Sequence, residues 1–578
     1  MVSYYFTIKY PDVRSNVLGL SHKLWLLTLH FVLLHLSAMF DVSFDSIRLS
    51  EWLALSFALC FVLIFTNSIY NLYFHPLSGV PGPFWGRMSP IPSWYYACRG
   101  DRHIWLWKQF QRYGKKIRPD PNTVLFCDSQ AYSDIYSARS NVRRSRFYEA
   151  FQEQGRVATT LMTIDVAEHA VKRKRLNACF TEKSVRAASD FIVKHVDRWI
   201  DIILEENKDT TEWSSPVDFT EKVDALIFDI MGDLSFGRSF DIKEPGENPV
   251  KRTPHSIAAY LRFVYPMLRF PYLNLLLWLK PRGIDQFLSL IVPPDAQRYS
   301  QFVDDCVANR IALQKEQSTK PEAERRQDIF YFLAEARDPD TGLPAYDDSE
   351  LWAESSMLIV AGSDTTAVSL SGIFFYLTGD PQRYQKLVDE IRSTFGSVEE
   401  IIHGPKLSGC TYLRACVDEG MRLTPTGPSE LPREVLPGGL RVMGEYYPSG
   451  TIVGTSPWVS CRSQEVFGDA ESFRPERWIL NESAGVTKDS IARGKAAFRP
   501  FLSGPTNCAG QNLAIAEMLI TIARTLYRLD VRRAPGSTLG GGSPELGWGQ
   551  NDKNQFQLVD AYISLRQGPE VQFRKRMS

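Results

Sequence analysis

Hydrophobic and polar positions divide this chain into three regimes. Two nearly unbroken apolar runs, residues 24–40 and 52–74, fall within the first 74 residues. A helix needs about 20 apolar residues to cross a bilayer, so 52–74, interrupted late by Asn67 and Asn71, predicts the stronger span. The shorter run, which carries His30 and His35, predicts a weak span or an interfacial segment. His75, Pro76, Gly79, Pro81, Gly82 and Pro83 then end the apolar pattern. Proline bars continued helix, so residues 75–86 predict a stiff hinge that orients the rest of the chain. From residue 87 to 578 helical periodicities alternate with turns, and short strand-like runs appear at Thr123-Val-Leu-Phe126 and Thr451-Ile-Val453. These patterns predict one mainly α domain with a small β-sheet portion, an α+β class. Residues 534–554, rich in Gly, Ser and Pro, predict a long surface loop.

Several polar groups stand out against this pattern. Residues 351–377 predict a long, mostly apolar helix interrupted by Ala361-Gly-Ser-Asp364-Thr365-Thr366. Gly weakens a helix and hydroxyls bond backbone carbonyls, so a bulge able to hold water is expected, where an acid beside an alcohol can pass protons. A solvated face with an ordinary cap is the plainer alternative. Glu419 and Arg422 lie three apart on one helical face, a spacing that usually marks a surface pair. His169 and Arg173 lie four apart on one helical face, and Arg173 belongs to a basic run, Lys172 to Arg175, that reads as a solvated or docking face rather than a nucleic-acid patch. Cys508 sits in Phe501-Leu-Ser-Gly504-Pro-Thr-Asn-Cys508-Ala-Gly510, directly ahead of a helical pattern. Loop N–H groups and the helix N-terminus favour a negative sulfur there, although a lone Cys in such a loop is more often a structural thiol.

Composition narrows the function classes. With 44% hydrophobic and 12% aromatic residues the 578-residue chain is ordered and globular. Lys+Arg and Asp+Glu both number 66, so electrostatics give a nucleic-acid role no support. Nine cysteines, an odd number with no C-x-x-C, imply reduced thiols in a cytosol-facing protein and no zinc site. No small-residue cleavage site follows the apolar runs, so a retained anchor is expected. Lys9, Arg14 and Lys23 favour a cytosolic amino end if both runs cross. The sequon at Asn481 then stays unmodified.

The motifs together resemble the cytochrome P450 family. Phe501, Gly504, Cys508 and Gly510 match its haem loop, F-x-x-G-x-R-x-C-x-G, with Thr506 in place of the usual Arg. Residues 361–366 resemble its A-G-x-D-T-T helix, Glu419 and Arg422 its E-x-x-R pair, and Phe473-Arg-Pro-Glu-Arg477-Trp its P-E-R-F/W motif. The resemblance implies a P450 fold behind an N-terminal membrane anchor, with haem b whose iron takes Cys508 as axial ligand. It implies Asp364 and Thr365 as the catalytic acid and alcohol, and a structural cluster of Glu419, Arg422 and Arg477. Phe501, Gly504 and Gly510 would shape the cofactor loop, while His169, Arg173 and Arg433 would hold the haem propionates. The function implied is a membrane-bound monooxygenase of the endoplasmic reticulum, facing the cytosol. It would take electrons from NADPH through a flavoprotein reductase and place one atom of dioxygen in a lipophilic small molecule. Fungal secondary metabolism, with a terpenoid, polyketide or alkaloid substrate, is the implied setting. Substrate contacts are expected from residues 147–163, the helix before Ala361, and residues 424–430 and 556–562. A haem-thiolate isomerase or dehydratase is the near alternative, and a membrane-anchored thiol hydrolase with Cys508 as nucleophile is the alternative from another class.

Overall fold

The computed structural model describes residues 49–152, 156–177, 179–207, 211–284, 294–338 and 340–576. The apolar run at 24–40 lies outside the described residues. Helix Leu49–Ile69 opens the described chain and continues as a π turn, Tyr70–Phe74. Phe57, Phe61, Ile64 and Phe65 on it are exposed, and residues 57–74 are long and apolar enough to cross a membrane. Its end is already part of the globular body. Asn71 and Leu72 are buried, Asn71 Nδ2 donates to the Met88 carbonyl at 2.9 Å, and Arg118 Nη1 donates to the Asn71 carbonyl at 2.9 Å.

The predicted hinge is docked rather than free. Leu77 and Val80 enter a satellite core, and the Pro81 carbonyl accepts from the Arg118 amide at 2.7 Å. A Cβ on Gly82 would lie 2.3 Å from the Arg118 carbonyl oxygen, so only glycine permits this approach.

Beyond the hinge helix dominates, as the periodicity predicts. A five-stranded sheet runs Lys116–Asp120, Thr123–Phe126, Ile452–Thr455, Arg433–Val435, Val142–Arg144 in spatial order. Thr123–Phe126 and Ile452–Thr455, close to the two strand-like runs in the sequence, pair in parallel. Helix Asp348–Gly379 crosses the centre of the main core. It passes the same length and apolarity test as the first helix, yet it is mostly buried in protein, which is why its apolar surface is continuous instead of striped. Helices Phe219–Phe236 and Gln511–Arg528 pack against it. The 534–554 segment is a loop with internal order: Gly541 bridges Phe556, and Trp548 packs on Trp107 with ring centroids 5.1 Å apart.

The expected break in the long helix does not occur. Residues 361–366 are α-helical throughout, and the element runs from Asp348 to Gly379, longer than predicted at both ends. Asp347 and Glu350 form a capping box at its start. Ser363 Oγ and Thr365 Oγ1 donate to the carbonyls four residues back, at 2.6 and 2.7 Å, without opening the backbone ladder. The hydroxyls here supplement the helical bonds instead of replacing them.

Candidate active site

A cavity of about 530 Å³ lies between helix Asp348–Gly379 and the loop that carries Cys508. Its wall is mainly apolar, and Ala361, Gly362, Thr365 and Thr366 face it from the helix. Cys508, Phe501, Thr506 and Gly510 face it from the loop.

Local chemistry explains the loop's shape. Gly504 has φ +69°, and a Cβ there would meet the Tyr136 carbonyl oxygen at 2.2 Å, so the position is restricted to glycine twice over. The Cys508 amide donates to the Phe501 carbonyl at 2.8 Å and closes the loop. Gly510 then caps helix Gln511–Arg528. Cys508 is exposed only in the sense that it faces the cavity. The surrounding protein still strips water from it, so burial pushes its thiol above the ordinary range, tempered by the Gly510 N–H and Arg173. Arg173 is the one charged side chain that acts on it among the described residues.

Beside the sulfur, cations gather without a counter-charge among the described residues. Arg173 donates to the Asn507 carbonyl, and its Nη2 donates to Asn507 Oδ1 at 2.7 Å. Arg433 Nη2 donates to Thr506 Oγ1 at 2.9 Å. Arg144, which belongs to no sequence motif, donates to the Thr160 carbonyl at 2.6 Å and also faces the cavity. It is the register partner of Arg433 on the neighbouring strand. Like charges directly opposite on paired strands repel. His169 lies buried beside this group, with Nε2 lacking a partner. Burial, followed by the charges of Arg144, Arg173 and Arg433, lowers its pKa to about 3 and keeps the imidazole neutral. Three guanidiniums held by neutral oxygens, with an unsatisfied imidazole nitrogen, suit a group that brings carboxylates. Together with a cavity-facing cysteine, this donor set fits haem.

The remaining predicted residues separate into two groups. Glu419, Arg422 and Arg477 come together in the core: Arg422 reaches Glu419 Oε1 at 2.8 Å and Oε2 at 2.9 Å, and Arg477 Nε reaches Oε1 at 2.9 Å. The Arg474 amide and Trp478 Nε1 complete the ring of donors at 2.8 and 2.9 Å. Burial opposes charge on Glu419, but the two arginines outweigh it and hold the carboxyl below its ordinary range. Asp364 behaves otherwise. Thr365 faces the cavity while Asp364 does not, so the pair is split between two faces of the helix. Burial, followed by the charge of Asp224, pushes Asp364 up to about 7, with Arg566 opposing. Its Oδ2 has no partner. Within the basic run, Lys172 is buried and donates to the Ala158 carbonyl at 2.6 Å, while Lys174 and Arg175 pair with Asp340 and Asp338.

Expected substrate-contact regions do supply wall: Phe151, Val157 and Met162 from the first, Met357 from the helix, Thr426 from the turn and Tyr562 from the last.

Comparison with known proteins agrees with this geometry. The family model described as Cytochrome P450 matches residues 87–540. The chain is 31% identical over 557 residues to cytochrome P450 monooxygenase apf7 of Gibberella fujikuroi, covering 93% of this chain and 99% of the relative. It is 31% identical over 532 residues to cytochrome P450 monooxygenase fscF of Fusarium equiseti, covering 91% and 97%. Cytochrome P450 monooxygenase atnE of Emericella nidulans is 31% identical over 514 residues, covering 88% and 94%.

Proposed function

The chain belongs to the cytochrome P450 family and is a monooxygenase of that family; on that premise we propose that it is a membrane-anchored enzyme that oxidises a lipophilic small molecule of fungal secondary metabolism. The observation that carries this reading is the apolar cavity lined by Cys508, Arg144 and Arg173, with Arg433 bonded to the loop residue Thr506 and His169 beside the three arginines. Cys508 would bind the haem iron through its sulfur, and the cations with Thr506 would hold the propionates. Bound haem supplies thiolate-supported dioxygen activation, with electrons delivered from NADPH by a partner flavoprotein reductase.

The chain's own residues account for binding and protons. Apolar wall from Phe151, Val157, Met357 and Tyr562 suits a ligand that partitions from a membrane. Thr365 commits its hydroxyl proton to the Ala361 carbonyl, leaving oxygen lone pairs toward the cavity as a hydrogen-bond acceptor. Asp364, pushed up to about 7 mainly by burial, would hold a proton on the helix face behind it. The presence of this acid and alcohol favours oxygen insertion over the isomerase or dehydratase reading. Helix Leu49–Ile69 would fix the domain on the cytosolic face of the endoplasmic reticulum, with the docked hinge setting its orientation.

Reconstitution with a fungal reductase, NADPH and candidate terpenoid, polyketide and alkaloid pools tests the reading. A product heavier by one oxygen, labelled from isotopic dioxygen, is expected. Rearranged products of unchanged oxygen content would overturn it in favour of the isomerase.

A further inference from the structure

Residues 157–163 lie in neither helix nor strand, yet Val157, Thr159, Thr160, Leu161 and Met162 all face the cavity. Irregular backbone has no ladder to satisfy its amides and carbonyls, so other groups must do so. Charged side chains supply them here. Glu354, on helix Asp348–Gly379, accepts through Oε1 from the Thr160 amide at 2.6 Å and from Thr160 Oγ1 at 2.7 Å. Arg144 holds the carbonyl of the same residue, and Lys172 holds the Ala158 carbonyl two residues earlier. Thr160 is thus gripped at its amide, its hydroxyl and its carbonyl at once, and it is buried.

Glu354 is itself buried and does not face the cavity, whereas Ala353 and Ser356 beside it do. It therefore acts on a ligand only through Thr160. Burial is the leading influence on its carboxyl and raises its pKa, opposed by the Thr160 hydroxyl and amide and then by the charge of Lys172. The two bonds to Oε1 need an acceptor and not a charge, so a carboxamide oxygen can receive them as well.

We propose that Glu354 is a positioning residue that fixes the cavity wall at residues 157–163 through Thr160 and so sets which ligand shapes the cavity accepts. Ligands large enough to press on that segment are discriminated by the clamp, and ligands that reach only the cofactor are not. The proposal rests on the monooxygenase reading for the bound cofactor, but the clamp itself is tested without turnover.

Spectral titration of the holoenzyme with two nitrogen ligands separates these cases: bare imidazole, which needs only the cofactor, and clotrimazole, whose aryl groups extend to the wall. Glu354→Ala is expected to weaken clotrimazole about tenfold, as fits the loss of hydrogen bonds to a buried carboxyl, and to leave imidazole unchanged. Glu354→Gln should restore the wild-type ratio of the two affinities. Thr160→Val should weaken clotrimazole less, because the amide bond to Glu354 survives. Combining Glu354→Ala with Thr160→Val should be no worse than Glu354→Ala alone, since both act on one clamp. Parallel losses for both ligands, or additive losses in the double variant, would overturn the proposal. Hydrogen exchange in the peptide covering residues 157–163 of the holoenzyme is the second arm. It should be faster in Glu354→Ala and unchanged in Glu354→Gln, and equal exchange in all forms would show that Glu354 does not fix the wall. If Glu354→Ala fails to fold, Glu354→Gln and Thr160→Val still decide: the ratio of affinities should be kept in the first and lowered in the second, and the reverse order would overturn the clamp. A protein that passed these arms and gave no oxygenated product would lose the monooxygenase reading and keep the clamp.

Discussion

Arg433 donates through Nη2 to the hydroxyl of Thr506 at 2.9 Å, at the position where the family's haem loop usually has an arginine. The neutral residue thus serves as an acceptor for a guanidinium that would otherwise face a second one. Thr506→Ala removes that acceptor, and losing a hydrogen bond to a charged group costs on the order of 1–3 kcal/mol. Haem should then pass faster to a scavenging apo-globin. Arg433→Ala should accelerate the loss further, since it removes a cation beside the cofactor's carboxylates.

Thr506→Arg gives a sharper contrast. Without haem it sets another guanidinium against Arg433 and Arg144, already opposite each other across paired strands, and lowers stability. With haem the carboxylates screen the charges. Urea unfolding should therefore show Thr506→Arg destabilised as apo-protein and restored as holoprotein. Equal destabilisation in both states would remove the proposed role of this cluster.

Asp364 retains its proton up to a pH of about 7 because burial and then Asp224 disfavour its charge. Its capacity as a donor is present below that value and is lost as pH rises through it. Asp364→Asn should abolish that limb of the coupling profile, and Thr365→Ala should divert NADPH oxidation to peroxide while substrate binding persists. Peroxide yield and product yield measured together check both. Unchanged coupling in Thr365→Ala would contradict the assignment.

Glu419 is fully buried among Arg422 and Arg477, so Glu419→Ala strands two guanidiniums and should cost about 3–5 kcal/mol. The pH dependence has a definite sign. A carboxyl held below its ordinary range adds stability above that range and loses it as pH falls through the lowered value. Denaturant midpoints of wild type and Glu419→Gln should converge on acidification. Midpoints that stay parallel down to acid unfolding would show that the charge of Glu419 does not stabilise the fold.

Features held in short contiguous motifs are the ones legible in the sequence. The loop around Cys508 is specified between Phe501 and Gly510, and Gly504 is forced by its own φ and by the Tyr136 carbonyl, so pattern alone reaches it. Arg144 is invisible there because its meaning comes from strand pairing: only the register with Arg433, far away in sequence, brings it to the cavity. The unbroken helix at 361–366 escapes a pattern argument because hydroxyl back-bonding and ladder replacement look alike in sequence. Asp364 and Thr365 are neighbours in sequence, but the helix turns about 100° per residue and separates their faces.

Packing sets the boundary of the proposed anchor. Because Asn71 and Leu72 are buried against the domain, removing residues only as far as Thr66 should release a more soluble protein that still binds haem. Cutting at His75 also deletes the Asn71 contacts with Met88 and Arg118 and should lower the thermal midpoint. Equal midpoints for the two truncations would show that those contacts contribute nothing.

The central claim is that Cys508 binds haem iron through its sulfur, and the carbon-monoxide difference spectrum of the reduced protein tests it most directly. Wild type should give the thiolate-type band, and Cys508→Ala should lose it while the Glu419 cluster keeps the chain folded by circular dichroism. A folded Cys508→Ala that retained the thiolate-type band would contradict the account.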